Sequence, residues 1–258
     1  MTPTNPAEVG GGPEPEAPPR ARPPLEPPQL GGPLMARATL VPQEGVTELV
    51  LVRHGRPVRV DHGASREDLM DPPLSEGGLR QATLVADALA AAPVEAVYTS
   101  DLRRAGETAA PIAEAHGCEV VVYPELREFE AFRDVPAGES VREWVSAPLM
   151  RGMSERFVRE RTWDSFPHSE PAAEFRNRVA SAVETILAAH RGGRVVVACH
   201  GGVINAYVAH LWGVREDVLF HPAHGSISRV VAAGDRRSLW TLNELAHLVA
   251  DGEDHADY

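Results

Sequence analysis

The stretch LVLVRHGRP, residues 49–57, starts with four apolar residues and turns sharply polar at Arg53. A short run of valine and leucine that ends in glycine and proline is typical of a buried strand in a sheet covered on both faces. The stretch RVVVACHGG, residues 194–202, has the same form and also ends in His-Gly. These two strand ends predict the core of an α/β sheet and place His54 and His200 at one edge of it.

From Glu48 onward the sequence alternates between short β-rich runs and longer runs with helical spacing. We predict strands at Glu48–Arg53, Ala96–Ser100, Glu119–Tyr123, Arg194–His200, Ile227–Ala233 and Ser238–Leu242. We predict helices at Ser75–Ala91, Asp101–His116, Val141–Ser146, Met150–Arg161, Pro171–Arg191, Val203–Trp212 and Arg215–Leu219. This alternation indicates an α/β fold, a three-layer α/β/α sandwich with a mostly parallel sheet. No strand pattern occurs at about 124–171, where we predict a small helical cap insertion within a domain spanning residues 47–248.

The two ends of the chain differ from this pattern. Residues 1–46 hold 12 of the 23 prolines, mixed with Gly, Glu and Ala. Such a composition buries too little apolar surface to offset the entropy of ordering. We expect a disordered Pro/Gly-rich tail there, inert or used for docking, unless translation starts at Met35. Residues 249–258 are expected to form a flexible acidic C-terminus.

The composition limits the class of protein. The chain is 43% hydrophobic, enough for a core, and its net charge of −12 argues against nucleic acid or an anionic membrane as a partner. Its two cysteines, Cys118 and Cys199, do not suggest a disulfide scaffold. We expect no transmembrane helix and no secretory signal. We therefore expect the protein in the cytoplasm. The sequence does not distinguish a monomer from a homodimer.

Both His54 and His200 end a strand at the edge where open α/β sheets bind ligands. The helix that follows His200 would aim free backbone N–H groups at this edge and favour an anion. Gly201 would let a ligand approach the backbone closely. A single histidine in such a turn is more often structural, but two of them favour a binding site.

The stretch VYTSDLRRAGETA, residues 97–109, adds two arginines after another predicted strand. Arg103 or Arg104 falls in the first turn of the next helix, where a cation opposes the helix dipole. A bound anion would compensate for this, although an exposed arginine pair would look the same in sequence.

Together these motifs resemble those of the histidine phosphatase superfamily, also called the phosphoglycerate mutase-like family. Seven segments occur in the family's order: LVRHG, DPPLSEGGLRQA, YTSDLRRAGETA, LREF, VVACHGG, HGSIS and LNELAHL. The similarity covers about Glu48–Leu248, and it implies this family's fold and a phosphatase activity.

The resemblance implies that His54 is the nucleophile. Imidazole suits this role because it is neutral near pH 7 and its phosphorylated form is a good leaving group. The other ring nitrogen should be held by a hydrogen bond, which we expect from a backbone carbonyl. Glu128, in the LREF segment, is the expected general acid and base.

The same resemblance assigns the phosphate pocket. Arg53, Arg104, Gly201 and a protonated His200 are expected to bind the phosphoryl oxygens, His200 also taking part in catalysis. Arg104 is preferred to Arg103 because the family's arginine directly precedes an alanine.

The chain departs from the family pattern near these motifs. Arg56 and Val60 stand where many members have an acidic or amide residue and a phosphate-binding asparagine, and His224 stands where asparagine is frequent. Arg56 or Arg59 could replace the lost donor. We take Arg56, Arg59, Ser75 and His224 as candidate substrate contacts.

These inferences predict a phosphomonoesterase that hydrolyses small phosphorylated metabolites through a phosphohistidine. The chemistry needs no cofactor, and the pair His221 and His224 lacks the further ligands of a metal site. A phosphoglycerate mutase and a catalytically silent phospho-ligand binder are the alternatives. Nothing in the sequence demands the stable phosphoenzyme of a mutase, and a silent binder would usually have lost a catalytic residue.

Overall fold

A computed structural model describes residues 45–61 and 64–249. Its strands are β1 (Thr47–Arg53), β2 (Ala96–Thr99), β3 (Val120–Val122), β4 (Arg194–Cys199), β5 (Ile227–Ala233) and β6 (Arg236–Glu244). Its helices are α1 (Arg66–Met70), α2 (Glu76–Leu89), α3 (Arg103–His116), α4 (Val141–Trp144), α5 (Ala147–Glu160), α6 (Ala172–Ala189), α7 (Gly201–Trp212) and α8 (Ala246–Val249). None of these helices has both the length and the apolar character needed to cross a bilayer.

The six strands form one sheet in the order β3-β2-β4-β1-β5-β6. The four strands β3, β2, β4 and β1 are parallel, and β5 runs antiparallel to both β1 and β6. In the register of β1 and β4, Arg53 lies opposite Cys199. The residue that follows each of these strands is a histidine, so His54 and His200 lie side by side at the end of the sheet.

The side chains of β1 alternate between two buried cores. Leu49 and Leu51 pack with residues of α6 and α7, whereas Val50 and Val52 pack with residues of α2 and α3 on the other face. Because neighbouring residues of a strand point to opposite faces, this strand is apolar at every position. The predicted three-layer α/β/α sandwich with a mostly parallel sheet is confirmed.

The segment between β3 and α6 contains the helices α4 and α5 and two 3-10 turns, Pro124–Leu126 and Trp163–Ser165. A small cluster of Val141, Val145 and Met153 forms its own apolar centre. The ring of Trp163 stacks on Phe129 with centroids 4.9 Å apart, and Phe129 contacts Phe175 of α6 with centroids 5.7 Å apart, which joins the segment to the core beneath it.

The predicted helix at Arg215–Leu219 is wrong, because groups from other parts of the chain bind the backbone N–H groups that a helix would use. The Asp217 N–H donates to the Arg161 carbonyl at 3.0 Å. The Asn205 Oδ1 atom accepts hydrogen bonds from the N–H groups of residues 219 and 220 at 2.7 and 3.2 Å. Helices α1 and α8 were not predicted. The predicted N-terminal and C-terminal tails lie almost wholly outside the described residues.

Candidate active site

His54 is the centre of the site and follows the last residue of β1. Its backbone N–H donates to the Cys199 carbonyl at 2.9 Å, and its side chain is buried. The ring Nδ1 lies 2.8 Å from the Gly55 carbonyl, and Nε2 lies 3.1 Å from Arg104 Nε. Since a guanidinium can only donate, Nε2 is the acceptor and Nδ1 carries the hydrogen. The expected backbone carbonyl partner is thus present, and the Nε2 lone pair faces the arginine.

The surroundings keep this imidazole neutral. The pKa of His54 is well below its usual range, first because of burial and then because of His200, Arg104 and Arg53. Burial and nearby cations both disfavour the protonated ring. A neutral histidine with a fixed tautomer is the form in which a ring nitrogen can act as a nucleophile.

The turn after His54 is fixed by a close contact between two glycines. A Cβ atom on Gly55 would lie 2.4 Å from the Gly78 carbonyl oxygen, and one on Gly78 would lie 2.1 Å from the Arg56 carbonyl oxygen. Neither position has room for a side chain. The Gly55 N–H also donates to the buried Thr108 hydroxyl at 3.0 Å. Helices α2 and α3 therefore both hold the turn that carries His54.

Two arginines face this histidine. Arg104 lies in the first turn of α3 and is 7% exposed, whereas the Arg103 side chain is 59% exposed and pairs with Glu107. Arg53 donates through Nη1 to the Pro222 carbonyl, and its buried Nε has no hydrogen-bond partner among the described residues. Burial, opposed by Glu128 and assisted by Arg104, lowers the pKa of Arg53 to about 10. Both arginines remain charged at neutral pH, so the pocket is positive.

His200 is fully buried at the N-terminus of α7. Its Nε2 lies 2.8 Å from the Ser100 hydroxyl, and its ring centroid is 5.1 Å from that of His54. Burial, followed by the charges of Arg104 and Arg53, holds the pKa of His200 well below its usual range. These surroundings favour the neutral ring, and the expected protonation of His200 beside a phosphate stays a prediction. A Cβ atom on the next residue, Gly201, would lie 3.4 Å from Arg53 Nε, so the glycine keeps the backbone close to the guanidinium.

Glu128 reaches the same site from the segment after β3. Its Oε1 accepts a hydrogen bond from the Phe129 N–H at 2.9 Å, and its Oε2 accepts one from the Gly202 N–H at 3.0 Å. The second donor lies in the first turn of α7. A Cβ atom on Gly202 would lie 2.2 Å from Oε1, so only glycine leaves room for the carboxylate.

Of the other predicted contacts, His224 lies beside His54. Its ring centroid is 5.4 Å from that of His54. Burial, followed by Arg53 and Arg56, lowers the pKa of His224 to about 3. Arg56 therefore lies within electrostatic reach of the site, while Arg59 is exposed.

Ser75 has a structural position. Its hydroxyl caps α2 by accepting from the Gly78 N–H at 3.1 Å, and it donates to the Arg56 carbonyl at 2.9 Å. These contacts hold the turn after His54, and the substrate contact of Ser75 stays a prediction. Within the described residues, no group of three or more His, Cys, Asp or Glu side chains is placed to hold a metal ion.

The family model of the histidine phosphatase superfamily, branch 1, matches residues 49–245. The chain belongs to the histidine phosphatase superfamily. A metal-independent phosphoserine phosphatase of Arabidopsis thaliana is 35% identical over 165 residues, which cover 62% of this chain and 67% of that protein. The structure of a mycobacterial glucosyl-3-phosphoglycerate phosphatase matches with a TM-score of 0.60 at 26% identity, covering 76% of this chain and 98% of the other. A phosphoglycerate mutase of Bacillus anthracis has the same fold, with a TM-score of 0.63 at 19% identity over 81% of this chain and 98% of the other.

Three residues of this histidine phosphatase that support the site were not predicted. Ser100 holds His200, Thr108 holds the Gly55 N–H, and the Gln81 side chain accepts from the Arg56 N–H at 2.8 Å. All three lie within the matched segments DPPLSEGGLRQA and YTSDLRRAGETA. The motifs marked the right regions, but only the structure shows which side chain contacts which backbone group.

Proposed function

We propose that the chain is a metal-independent phosphomonoesterase that hydrolyses small phosphorylated metabolites through a phosphohistidine on His54. The observation that carries the proposal is the lone pair of His54 Nε2, held against Arg104 in a buried, positive pocket. The phosphatase names of a sequence relative and of a structural neighbour support hydrolysis as the reaction.

The first step transfers the phosphoryl group to the histidine. His54 Nε2 attacks phosphorus in line, and the bond from phosphorus to the ester oxygen breaks. Glu128, in its acid form, gives its proton to the departing oxygen, which leaves as an alcohol. The Nδ1 hydrogen bond to the Gly55 carbonyl stabilises the positive charge that the ring gains on phosphorylation.

The second step returns the enzyme to its starting state. A water molecule attacks the phosphohistidine, and Glu128, now a carboxylate, takes the proton from that water. The bond between Nε2 and phosphorus breaks, and inorganic phosphate leaves. His54 is then neutral again and Glu128 again holds a proton, so protons and charges balance over the cycle.

The phosphoryl oxygens are stabilised by fixed donors around His54. Arg53 and Arg104 supply charged N–H groups, and Gly201 lets the start of α7 approach the anion. His200 is neutral beside two arginines, but a phosphate dianion next to it would favour its protonated form. His200 would thus gain its proton together with the substrate.

The rest of the substrate is proposed to contact Arg56, Arg59 and His224. Arg56 or Arg59 would replace the donor that Val60 cannot supply. The proposed domain spans residues 47–248, with a cap at about 124–171.

The free thiols of Cys118 and Cys199 support a cytoplasmic location. Sedimentation of the purified chain would distinguish a monomer from a homodimer.

The test is a panel of phosphate esters assayed with wild type, His54→Ala and a control variant, His210→Ala, which alters an exposed histidine on α7. The panel contains 3-phosphoglycerate, O-phosphoserine and 4-nitrophenyl phosphate. We expect phosphate release by wild type and His210→Ala, and its loss in His54→Ala. Release that persists in His54→Ala would overturn the assignment of the nucleophile. Conversion of 3-phosphoglycerate to 2-phosphoglycerate without phosphate release would indicate a mutase, and binding without turnover would indicate a silent binder.

A further inference from the structure

Arg178, on α6, binds the backbone just before Glu128 in the chain. Its Nη1 donates to the Glu125 carbonyl at 2.8 Å and to the Arg127 carbonyl at 2.9 Å. Its Nε and Nη2 donate to the two carboxylate oxygens of Glu170 at 2.9 and 2.8 Å. The planar fork of an arginine can make all of these contacts at once, whereas a lysine cannot.

Glu170 extends this contact past Glu128. Its backbone N–H donates to the Glu130 carbonyl at 3.0 Å, and its side chain accepts from the Glu130 N–H at 3.3 Å. Glu170 is 3% exposed, and the Arg178 guanidinium also lies over the ring of Phe175, 5.1 Å from its centroid. Because the Glu170 carboxylate is buried, removing Arg178 would leave a buried charge unpaired.

The pair therefore fixes residues 125, 127 and 130, while Gly202 on α7 fixes the carboxylate of Glu128 itself. We propose that Arg178 and Glu170 are positioning residues for the general acid: they hold the backbone so that the Glu128 carboxyl group meets the leaving oxygen. The inference rests on the proposed function, because it assigns a part in the step in which Glu128 donates its proton.

A different explanation is that Arg178 acts through its charge alone. Arg178 is one of the cations that lower the pKa of His200, behind burial, Arg104, Arg53 and Arg127. Its removal could weaken phosphate binding without moving Glu128. The two explanations differ in the substrates for which kcat/KM falls, and in whether Arg178→Lys keeps the activity of wild type.

The experiment compares two leaving groups. An alkoxide needs a proton in order to leave, but 4-nitrophenolate is a stable anion that leaves without one. We would measure kcat/KM, which reports the transfer to His54 from free enzyme and free substrate, for 3-phosphoglycerate and for 4-nitrophenyl phosphate. The variants are Arg178→Lys, Arg178→Met and Glu170→Gln, with Glu128→Gln as the reference for loss of the acid.

Positioning predicts that all three variants follow the pattern of Glu128→Gln. For 3-phosphoglycerate, kcat/KM should fall about 10- to 100-fold, part of the 10²–10⁴-fold that a general acid contributes. For 4-nitrophenyl phosphate, kcat/KM should stay within about twofold of the wild-type value. A loss that is equal for the two substrates, or an Arg178→Lys variant that behaves as wild type, would overturn the proposal in favour of a charge effect.

A matched control lies on the same helix. Arg176 on α6 pairs with the buried carboxylate of Asp217 and does not bind residues 125–130. Arg176→Met should lower the thermal unfolding midpoint as Arg178→Met does, but without selectivity between the substrates. Selectivity in the control would also contradict the proposal. If Glu128→Gln lowers kcat/KM equally for both substrates, Glu128 is not the general acid. That result is distinct from one in which only the Arg178 variants lack selectivity.

Discussion

At the scale of single residues, the site depends on side chains that hold backbone groups. Thr108 is an example: its hydroxyl accepts from the Gly55 N–H at 3.0 Å and donates to the Arg104 carbonyl at 2.7 Å, and the residue is fully buried. It contacts both the turn of His54 and the helix turn of Arg104. One hydroxyl therefore links the turn of His54, the proposed nucleophile, to the helix turn of Arg104, a proposed phosphate ligand.

Replacing Thr108 with valine should show this link. Valine has nearly the same shape but leaves the buried Gly55 N–H unpaired, so we expect a loss of about 1–3 kcal/mol in the free energy of unfolding. We also expect lower kcat/KM for every phosphate ester, measured beside denaturant unfolding. Thr185→Val is the control, because Thr185 is an exposed threonine of α6 that bonds only within its helix. Unchanged stability and activity in Thr108→Val would count against this role.

Residue roles were predictable where chemistry restricts the side chain. The strand ends led to His54 and His200, and the family pattern separated buried Arg104 from exposed Arg103. The neutral state of His200 was not predictable, because it depends on burial and on cations that come from distant parts of the chain. The same holds for Ser75, whose hydroxyl could serve a substrate or a helix cap until its neighbours are known.

At the scale of elements, glycines set how closely helices approach the site. The first turn of α7 supplies the Gly202 N–H to Glu128, and the absence of a side chain at Gly202 gives the carboxylate its space. The first turn of α2 approaches Gly55 in the same way. Helix starts can be predicted from sequence, but these approach distances depend on the packing of two elements.

Gly202→Ala should displace the Glu128 carboxyl group. The added Cβ would lie 2.2 Å from Oε1, and a shift of about 1 Å in a catalytic group can cost about 100-fold in rate. We expect a large fall in kcat/KM for 3-phosphoglycerate and a smaller one for 4-nitrophenyl phosphate. Gly106→Ala on α3 is the control, since its added Cβ meets no atom within 4 Å. Equal kinetics for the two variants would show that Glu128 does not need this space.

The strands were predicted well because burial on both faces makes their sequences apolar, as in β1 and β4. The prediction failed at Arg215–Leu219, where local sequence suits a helix but Asn205 and Arg161 bind the backbone N–H groups. Such contacts join residues far apart in the chain, and a local pattern does not report them.

At the scale of the whole molecule, an acidic chain of net charge −12 encloses a positive pocket with neutral histidines. His54, His200 and His224 all have a pKa below the usual value for histidine. In the unfolded chain each would take up a proton near pH 6.5. Below that pH the unfolded state binds more protons than the folded state, so stability rises with pH and falls on acidification.

His224→Asn should reduce this pH dependence. The pKa of His224 is lowered to about 3, so between that value and about 6.5 the residue contributes up to one proton to the difference between unfolded and folded states. We expect the slope of unfolding free energy against pH near pH 5 to decrease by about 1.4 kcal/mol per pH unit in phosphate-free buffer. His210→Asn, at an exposed position, should leave the slope unchanged. An unchanged slope in His224→Asn would show that His224 is not buried in its neutral form.

The most direct test of the central claim is a search for the phosphoenzyme in Glu128→Gln. With 4-nitrophenyl phosphate the first step needs no acid, but the second step lacks its base, so the intermediate should accumulate. We predict a burst of 4-nitrophenolate equal to the enzyme concentration. Mass spectrometry after an alkaline quench should then find the phosphoryl group on His54, with none in the same variant carrying His54→Ala. A phosphoryl group on another residue, or turnover without a burst or any phosphoenzyme, would contradict the mechanism.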